Sequence, residues 1–198
     1  FTLSAWVKLA PTDNLTNVNY PIISIGNPSS GKNMTLYLSN QGNYEWTLGM
    51  YFLIQGSGVY YTYQCPYPDV SNILRDHQWH MVTVTRDADG AGRLYIDGST
   101  IMINLGGGQG RVASLNMSFP VLNLTNDNSN LYIGRDATGA HYFKGSLDNI
   151  LVYNRGLSDS EVMALASPPT VSIQADDDQA SESGDTGRFT VNSSAVSD

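Results

Sequence analysis

The chain is poor in basic residues and has no long apolar run. Lys and Arg number 10 against 18 Asp and Glu, which gives a formal net charge of −8. Nucleic acids and anionic membrane surfaces are bound through clustered Lys and Arg, so we expect neither as a partner. No stretch approaches the roughly 18 apolar residues that a membrane-spanning helix needs, and membrane insertion is not expected.

Cysteine and charged residues are also scarce. Cys65 is the one cysteine, so no disulfide can form within the chain, and its neighbours complete no metal or redox motif. Charged residues make up 14% of the chain, while Gly, Ser, Thr, Asn and Tyr are abundant. This usage is typical of a turn-rich β protein with few helices.

Strand-like runs recur at short intervals as far as residue 153. Residues 1–9 alternate between apolar and polar side chains, as a strand with one buried face does. Asp89-Gly90 and Asp97-Gly98 predict tight hairpin turns of type I′. Many short strands without a long helical period predict an all-β, two-sheet antiparallel sandwich. The other predicted strands are 20–26, 33–39, 44–54, 58–63, 79–86, 92–97, 100–104, 130–134 and 145–153.

One short helix is predicted near the end of this region. Ser158 is followed three residues later by Glu161, the spacing of a capping box, and an apolar stretch follows. Pro168-Pro169 ends the helix, and the composition changes after it. We therefore predict a domain over residues 1–167, followed by a linker and an incomplete segment over 168–198.

Four sequence motifs follow one another along residues 1–167. They are Phe1-Thr2-Leu3-Ser4-Ala5-Trp6-Val7-Lys8, Trp79-His80, Leu94-Tyr95-Ile96-Asp97-Gly98, and Gly145-Ser146-Leu147-Asp148-Asn149-Ile150 with Tyr153-Asn154-Arg155-Gly156-Leu157-Ser158. In this order they resemble the motifs of the laminin-G-like, concanavalin-A-like and pentraxin-like jelly rolls. The strand that usually precedes the first motif is missing, so we expect a longer parent protein. Residues 171–191 resemble the opening of a Calx-β repeat, which implies a multidomain protein; the alternative is that the tail is a polar, disordered terminus.

The resemblance implies a calcium ion at one rim or edge of the sandwich. It places Asp136, after Leu131-Tyr132-Ile133-Gly134-Arg135, where pentraxin-like relatives carry an acidic ligand, and Asn33 near another ligand-bearing loop. It places Asp148 where related glucanases hold a structural ion. Calcium takes six to eight oxygen ligands, which such loops can supply. The alternative for Asp148 is an acid hydrogen-bonded to backbone at the start of a strand.

A run of tyrosines is the candidate for direct ligand contact. Tyr60, Tyr61, Tyr63 and Tyr67 combine a flat ring with a hydroxyl group, which suits sugar recognition. The alternative is that these tyrosines pack on a face of the sandwich. His77, His80 and His141 are too dispersed to form a recognisable metal box or triad, and His80 is predicted to be a packed or edge residue.

The predicted function is a non-catalytic, secreted or cell-surface recognition module that binds a glycan or a protein partner with the help of calcium. The alternative is a structural module of a surface fibre or adhesin that contacts neighbouring modules. A glycoside hydrolase or lyase is less favoured. A retaining hydrolase would need two carboxylates roughly 5 Å apart, and no strand carries such a pair.

Overall fold

The structure is a computed structural model of the 198-residue chain. It describes residues 1–11, 19–27, 32–39, 49–56, 59–65, 73–88, 90–100, 103–104, 111–112, 129–167, 171–176 and 188–193. The strands are β1 (Thr2–Leu9), β2 (Asn19–Asn27), β3 (Lys32–Ser39), β4 (Gly49–Gly56), β5 (Val59–Cys65), β6 (His80–Arg86), β7 (Gly92–Ile96), β8 (Ser99–Thr100), β9 (Ile103–Asn104), β10 (Arg111–Val112), β11 (Asn130–Ile133), β12 (Gly145–Tyr153), β13 (Val171–Ala175) and β14 (Phe189–Ser193), with helix α1 (Asp159–Ala166) between β12 and β13.

The strands form two large antiparallel sheets and one small one. The five-stranded sheet has the order β12-β1-β6-β7-β8, and the seven-stranded sheet has the order β10-β9-β5-β4-β3-β2-β11. β13 and β14 pair with each other in a separate two-stranded sheet. The prediction of an all-β, antiparallel sandwich is confirmed. The prediction that residues 44–48 extend β4 falls outside the described residues.

The two large sheets enclose one apolar core. Every second residue of β1 faces it, and none of Leu3, Ala5, Val7 and Leu9 is more than 2% exposed. This follows from strand geometry, because successive side chains leave a strand on opposite faces. The remaining core residues come from both sheets and from the segment before β6: Tyr20, Ile22, Ile23, Leu36, Leu38, Met50, Leu74, Val82, Val84, Leu94 and Ile96.

Helix α1 and the segment before it cover the outer face of the five-stranded sheet. Val162 of the helix and Leu157 pack on Met81 and Tyr95 in a second apolar cluster. The Thr2 hydroxyl donates to the Arg155 carbonyl at 2.9 Å and accepts from the backbone N–H of Leu157 at 2.9 Å. These contacts hold the end of β12 and the start of the helix against β1.

The predicted helix start and one predicted hairpin turn are confirmed. Ser158 is the N-cap, and its side chain and that of Glu161 form both bonds of a capping box. Asp97 and Gly98 both have positive φ, at 50° and 76°, as a type I′ turn requires. A Cβ on Gly98 would lie 2.9 Å from Cα of Met163, so this turn also needs glycine to let the helix approach. Asp89 of the other predicted turn lies outside the described residues.

His80 joins two turns at one end of the five-stranded sheet. Its Nδ1 lies 2.7 Å from a carboxylate oxygen of Asp97, and its Nε2 lies 2.9 Å from one of Asp76. Burial opposes the charged form of this ring, but the hydrogen bonds to Asp97 and Asp76 outweigh burial and raise the pKa of His80. The ring is 12% exposed, as the sequence-based interpretation of a packed or edge histidine predicted.

The core reaches the surface along one edge of the sandwich. Leu131 and Ile133 of β11 are 50% and 52% exposed, although their register partners Ile25 and Ile23 lie against or within the core. Val152 of β12 pairs with buried Leu3 and is 48% exposed. These side chains occupy core-facing positions on edge strands, each of which has a neighbour on one side only among the described strands.

Residues beyond the helix form the small sheet. β13 and β14 pair along five residues each, and Ile173 and Val191 are 70% and 64% exposed. The Calx-β resemblance and the division of the chain at residue 168 stay predictions. Helix α1 is eight residues long, and the described residues contain no helix that could cross a membrane.

Burial predicts a clear difference between two leucine-to-alanine variants. Leu36→Ala in the closed core should lower the free energy of unfolding by about 2–5 kcal/mol, because it leaves a cavity. Leu131→Ala should cost about 1 kcal/mol, because half of the side chain already contacts water. Urea denaturation of both variants measures this, and equal losses would show that the edge is as enclosed as the core.

The hydrogen bonds of His80 to the carboxylates of Asp76 and Asp97 predict a stability that depends on pH. The pKa of His80 is raised in the folded state, so its contribution to the free energy of unfolding is fully present below the unfolded pKa of about 6.5. The contribution is lost as pH rises through the pKa of the folded state. The difference in free energy of unfolding between wild type and His80→Gln should therefore be largest near pH 5.5 and shrink towards pH 9. Asp76→Asn should change the pH profile in the same direction by a smaller amount. Parallel wild-type and His80→Gln profiles would contradict this role.

Candidate ligand-binding cleft

A cleft of about 260 Å³ opens on the outer face of the seven-stranded sheet. β2 and β3 form its floor, and the loop that follows β11 forms a wall. The described lining residues are Asn19, Pro21, Asn33, Thr35, Tyr37, Asp136, Ala137, Thr138 and His141.

Alternation along β3 explains which side chains reach the cleft. Asn33, Thr35 and Tyr37 line it, whereas the intervening Leu36 and Leu38 lie in the core. Across the floor, Pro21 is the register partner of Tyr37, and an irregularity in the pairing follows Pro21. A proline fits this position because a strand irregularity relieves the need for a ladder hydrogen bond.

Polar side chains of the floor are tied to neighbouring strands. Ser39 donates a hydrogen bond to the side-chain oxygen of Asn19 at 2.7 Å, so the amide of Asn19 has a fixed orientation. The hydroxyls of Ser24 and Thr35 lie 3.0 Å apart and are buried. The floor is therefore rigid as well as polar.

Asp136 organises the wall loop. Its Oδ1 accepts hydrogen bonds from the Thr138 hydroxyl at 2.9 Å and from the backbone N–H of Ala140 at 3.0 Å. Its Oδ2 lies 2.6 Å from Nδ1 of His141. Gly139 has a φ of 76°, and this left-handed residue lets the loop turn back so that His141 faces Asp136.

The same contacts set the charge of the wall. Burial of the carboxyl group opposes ionisation, but hydrogen bonds led by that of His141 outweigh burial and lower the pKa of Asp136. An ionised carboxylate only accepts hydrogen bonds, so Nδ1 of His141 is the protonated nitrogen. When the ring is neutral, Nε2 carries a lone pair and can accept a hydrogen bond from a ligand.

The structure brings together two of the three residues predicted to bind metal. Asp136 and Asn33 both line the cleft. Asp148 does not, because β12 belongs to the five-stranded sheet, where Asp148 pairs in register with Trp6. The exposed carboxylate of Asp148 accepts a hydrogen bond from the backbone N–H of Asn149 at 2.8 Å, which is the backbone-bonded alternative.

Strand pairing relates three of the predicted tyrosines to β3. Tyr60 pairs with Gln55, which pairs with Asn33. Tyr61 and Tyr63 are in register, through Ile54 and Phe52, with Met34 and Leu36. Tyr67 lies outside the described residues. As a ligand-contact group the tyrosines stay a prediction.

The sequence interpretation missed Asn19, Thr138 and His141. His141 was set aside because the three histidines are dispersed along the chain. The sequence does carry a local signal. Asp136 is followed by Gly139 and then by His141, and an acid and a histidine at this spacing can close a hydrogen-bonded loop. No sequence pattern indicated that this loop would stand beside β2 and β3.

The chain belongs to the concanavalin A-like lectin/glucanases superfamily, whose family model matches residues 1–163. This confirms the resemblance stated from the four motifs. No curated protein matches the chain significantly.

Solved structures of the same fold include three with sialic-acid chemistry in their descriptions. The CBM40 domain of the Ruminococcus gnavus IT-sialidase, bound to alpha2,3 sialyllactose, has a TM-score of 0.56 and 19% identity over 84% of this chain and 82% of that one. The leech intramolecular trans-sialidase, complexed with 2,7-anhydro-Neu5Ac, has a TM-score of 0.53 and 17% identity over 82% of this chain and 22% of that one. The ligand binding domain of botulinum neurotoxin serotype D, in complex with N-acetylneuraminic acid, has a TM-score of 0.51 and 16% identity over 83% of this chain and 35% of that one. At these identities the likeness shows the fold.

The cleft fits a calcium ion poorly. Calcium needs six to eight oxygens, and both oxygens of Asp136 already accept hydrogen bonds from protein groups. Within the part of the chain that the structure describes, no group of three or more His, Cys, Asp or Glu residues could hold a metal. Calcium bound at Asp136 would have to replace the hydrogen bonds that shape the loop. The calcium site therefore stays a prediction of the resemblance.

Melting experiments test calcium directly. A cation that Asp136 binds in the folded state alone would stabilise the fold by about 2.7 kcal/mol at a hundredfold excess over its dissociation constant. The predicted calcium site then gives a higher Tm in millimolar calcium than in chelator, and Asp136→Asn removes the difference. Equal Tm values of the wild type in calcium and in chelator would exclude the site.

Proposed function

We propose that this chain is a non-catalytic glycan-binding module and that the cleft beside Asp136 and His141 is its binding site. The observation that carries the proposal is the composition of the cleft. Amide, hydroxyl and imidazole groups line it together with the apolar side chains of Pro21 and Tyr37, of which Tyr37 is 7% exposed.

Sugars suit this composition. Each sugar hydroxyl both donates and accepts hydrogen bonds, and the ring carries patches of C–H groups that pack on apolar side chains. Asn19 and Asn33 supply amides, and Nε2 of His141 supplies an acceptor when the ring is neutral. A few convergent polar groups over an apolar surface are the usual make-up of a small-molecule site.

The comparisons support the class of ligand. The family model covers lectins as well as glucanases, and structures of the same fold carry sialyllactose or N-acetylneuraminic acid. At 16–19% identity these ligands are not transferred to this chain. They support a glycan as the general class.

The acids near the cleft support a binding role without catalysis. Glycoside hydrolysis uses two carboxyl groups, about 5 Å apart in retaining enzymes and about 6.5–9.5 Å apart in inverting ones. Asp136 is the single carboxylate among the described lining residues, and its oxygens hold the loop together. Asp76 and Asp97 also lie close to each other, but both are bound to His80 outside the cleft.

The setting of the module is part of the same proposal. We place it in a secreted or cell-surface multidomain protein, where it binds a glycan of another cell or of the extracellular matrix. The support is the laminin-G-like and Calx-β-like resemblance of the sequence. Surface labelling of cells that express the full-length parent protein tests the location.

A glycan array followed by calorimetry tests the binding function. The array identifies a ligand in chelator and in calcium, and calorimetry then compares wild type with two variants. His141→Ala should weaken binding about tenfold, because it removes a hydrogen-bonding side chain from the cleft. Asp148→Asn changes an exposed acid of the other sheet and should leave affinity unchanged.

Two outcomes would contradict glycan binding in the cleft. One is the absence of glycan binding under both conditions. The other is a His141→Ala variant that melts like the wild type and binds with the same affinity, which would remove the cleft as the site. Release of reducing ends from a bound polysaccharide would contradict the non-catalytic role.

A further inference from the structure

The charges of the cleft decide which sugars it can bind. Its nine described lining residues include one carboxylate, Asp136, and one imidazole, His141, but no lysine or arginine. The cations adjacent in sequence to lining residues, Lys32 and Arg135, are not among them. The guanidinium of Arg135 lies over the ring of Tyr132, 4.5 Å from its centroid, and its Nη1 lies beside Gly139 of the wall loop.

An acidic sugar would bind in this cleft with a less favourable free energy than a neutral one. A carboxylate or sulfate that loses water needs a cation or several hydrogen-bond donors in exchange. The described wall offers the opposite, since Asp136 is ionised and a like charge raises the free energy of a bound anion. The chain as a whole adds a net charge of −8, which also repels acidic glycans at a distance.

The hydrogen-bonding groups of the wall suit hydroxyl groups. Asp136 accepts a hydrogen bond from Nδ1–H of His141 and so fixes the ring with Nε2 as the nitrogen left for a ligand. The Thr138 hydroxyl donates to Asp136 and accepts from the backbone N–H of Ala140 at 3.3 Å, so one lone pair of its oxygen is left as an acceptor. Asp136 thereby acts as a positioning residue, while His141 and Thr138 contact the ligand.

The size of the cleft suits a ligand of about one sugar ring. Its volume of about 260 Å³ lies below the roughly 300–1,000 Å³ of sites for drug-sized ligands. Tyr37 in its floor is only 7% exposed, so the described part of the floor presents little aromatic surface. A cleft of this kind fits the end of a glycan better than the middle of a chain.

We propose that the cleft binds a single uncharged pyranose at the end of a glycan, a hexose or an N-acetylhexosamine, and discriminates against the same glycan capped by a carboxylated sugar. This inference rests on the proposed glycan-binding function and adds its specificity. It differs from the ligands named for the similar structures, which contain sialic acid.

Matched glycan pairs test the specificity. An array that carries each neutral glycan beside its sialylated or glucuronic-acid-capped form gives the ratio of affinities within a pair, with lactose and 3′-sialyllactose as one such pair. We expect the neutral member to bind at least about tenfold more tightly. Its dissociation constant should change less than twofold between 50 and 500 mM salt, because no ion pair holds it.

Two variants sharpen the test. Thr138→Lys places a cation on the exposed wall and should shift the ratio about tenfold towards the acidic member, since charge-assisted hydrogen bonds are the stronger kind. Thr138→Gln is the uncharged control of similar reach and should not favour the acidic member. Asp136→Asn should weaken the binding of neutral glycans, as His141→Ala does, because it releases the imidazole from its fixed orientation.

The outcomes separate this inference from the function on which it rests. If the acidic members bind as tightly as the neutral ones or more tightly, and His141→Ala weakens this binding, the specificity is overturned and glycan binding in the cleft is left intact. Failure of all pairs to bind the wild type would overturn both. A neutral preference that His141→Ala does not affect would also overturn both, because another surface would then bind the sugar.

Discussion

Burial of one face of each strand is the constraint on which the rest of the structure depends. Because successive residues leave a strand on opposite sides, a strand that gives Leu36 and Leu38 to the core must give Asn33, Thr35 and Tyr37 to the outer face. A shift of one residue would reverse both sets and expose the apolar side chains. The position of the cleft residues is therefore fixed by the packing of side chains that never reach the cleft.

The two outer faces are used in different ways. On the five-stranded sheet, Val162 and Leu157 cover Met81 and Tyr95, and hydrogen bonds of Thr2 fasten the covering segment. On the seven-stranded sheet, the loop after β11 stands at the edge of the floor instead of lying across it. The difference follows from the cover that the described residues give to each face: a helix packs on one face, whereas the loop after β11 borders an open cleft on the other.

Much of the fold could be predicted from the sequence because its signals are local. Alternation in residues 1–9, the capping box of Ser158 and the Asp97-Gly98 turn each depend on residues within a few positions of one another. The site could be predicted only in part, because which loop meets which strand is set by the order of strands in the sheet. Asp148 and Asp136 were both candidates by resemblance, and only the sheet order assigns them to opposite sheets.

The Asp136–His141 pair shows why a residue predicted as a metal ligand can have another role in the structure. Resemblance selected Asp136 for its charge, and charge alone suits a metal ligand. In the loop, however, the carboxylate accepts bonds from a hydroxyl, a backbone N–H and an imidazole, so that its charge is used to hold the chain in one conformation. A negative group that is fixed in this way cannot move aside for an anionic ligand. If the cleft binds a glycan as we propose, the interaction that shapes its wall also determines the charge of the ligand that it accepts.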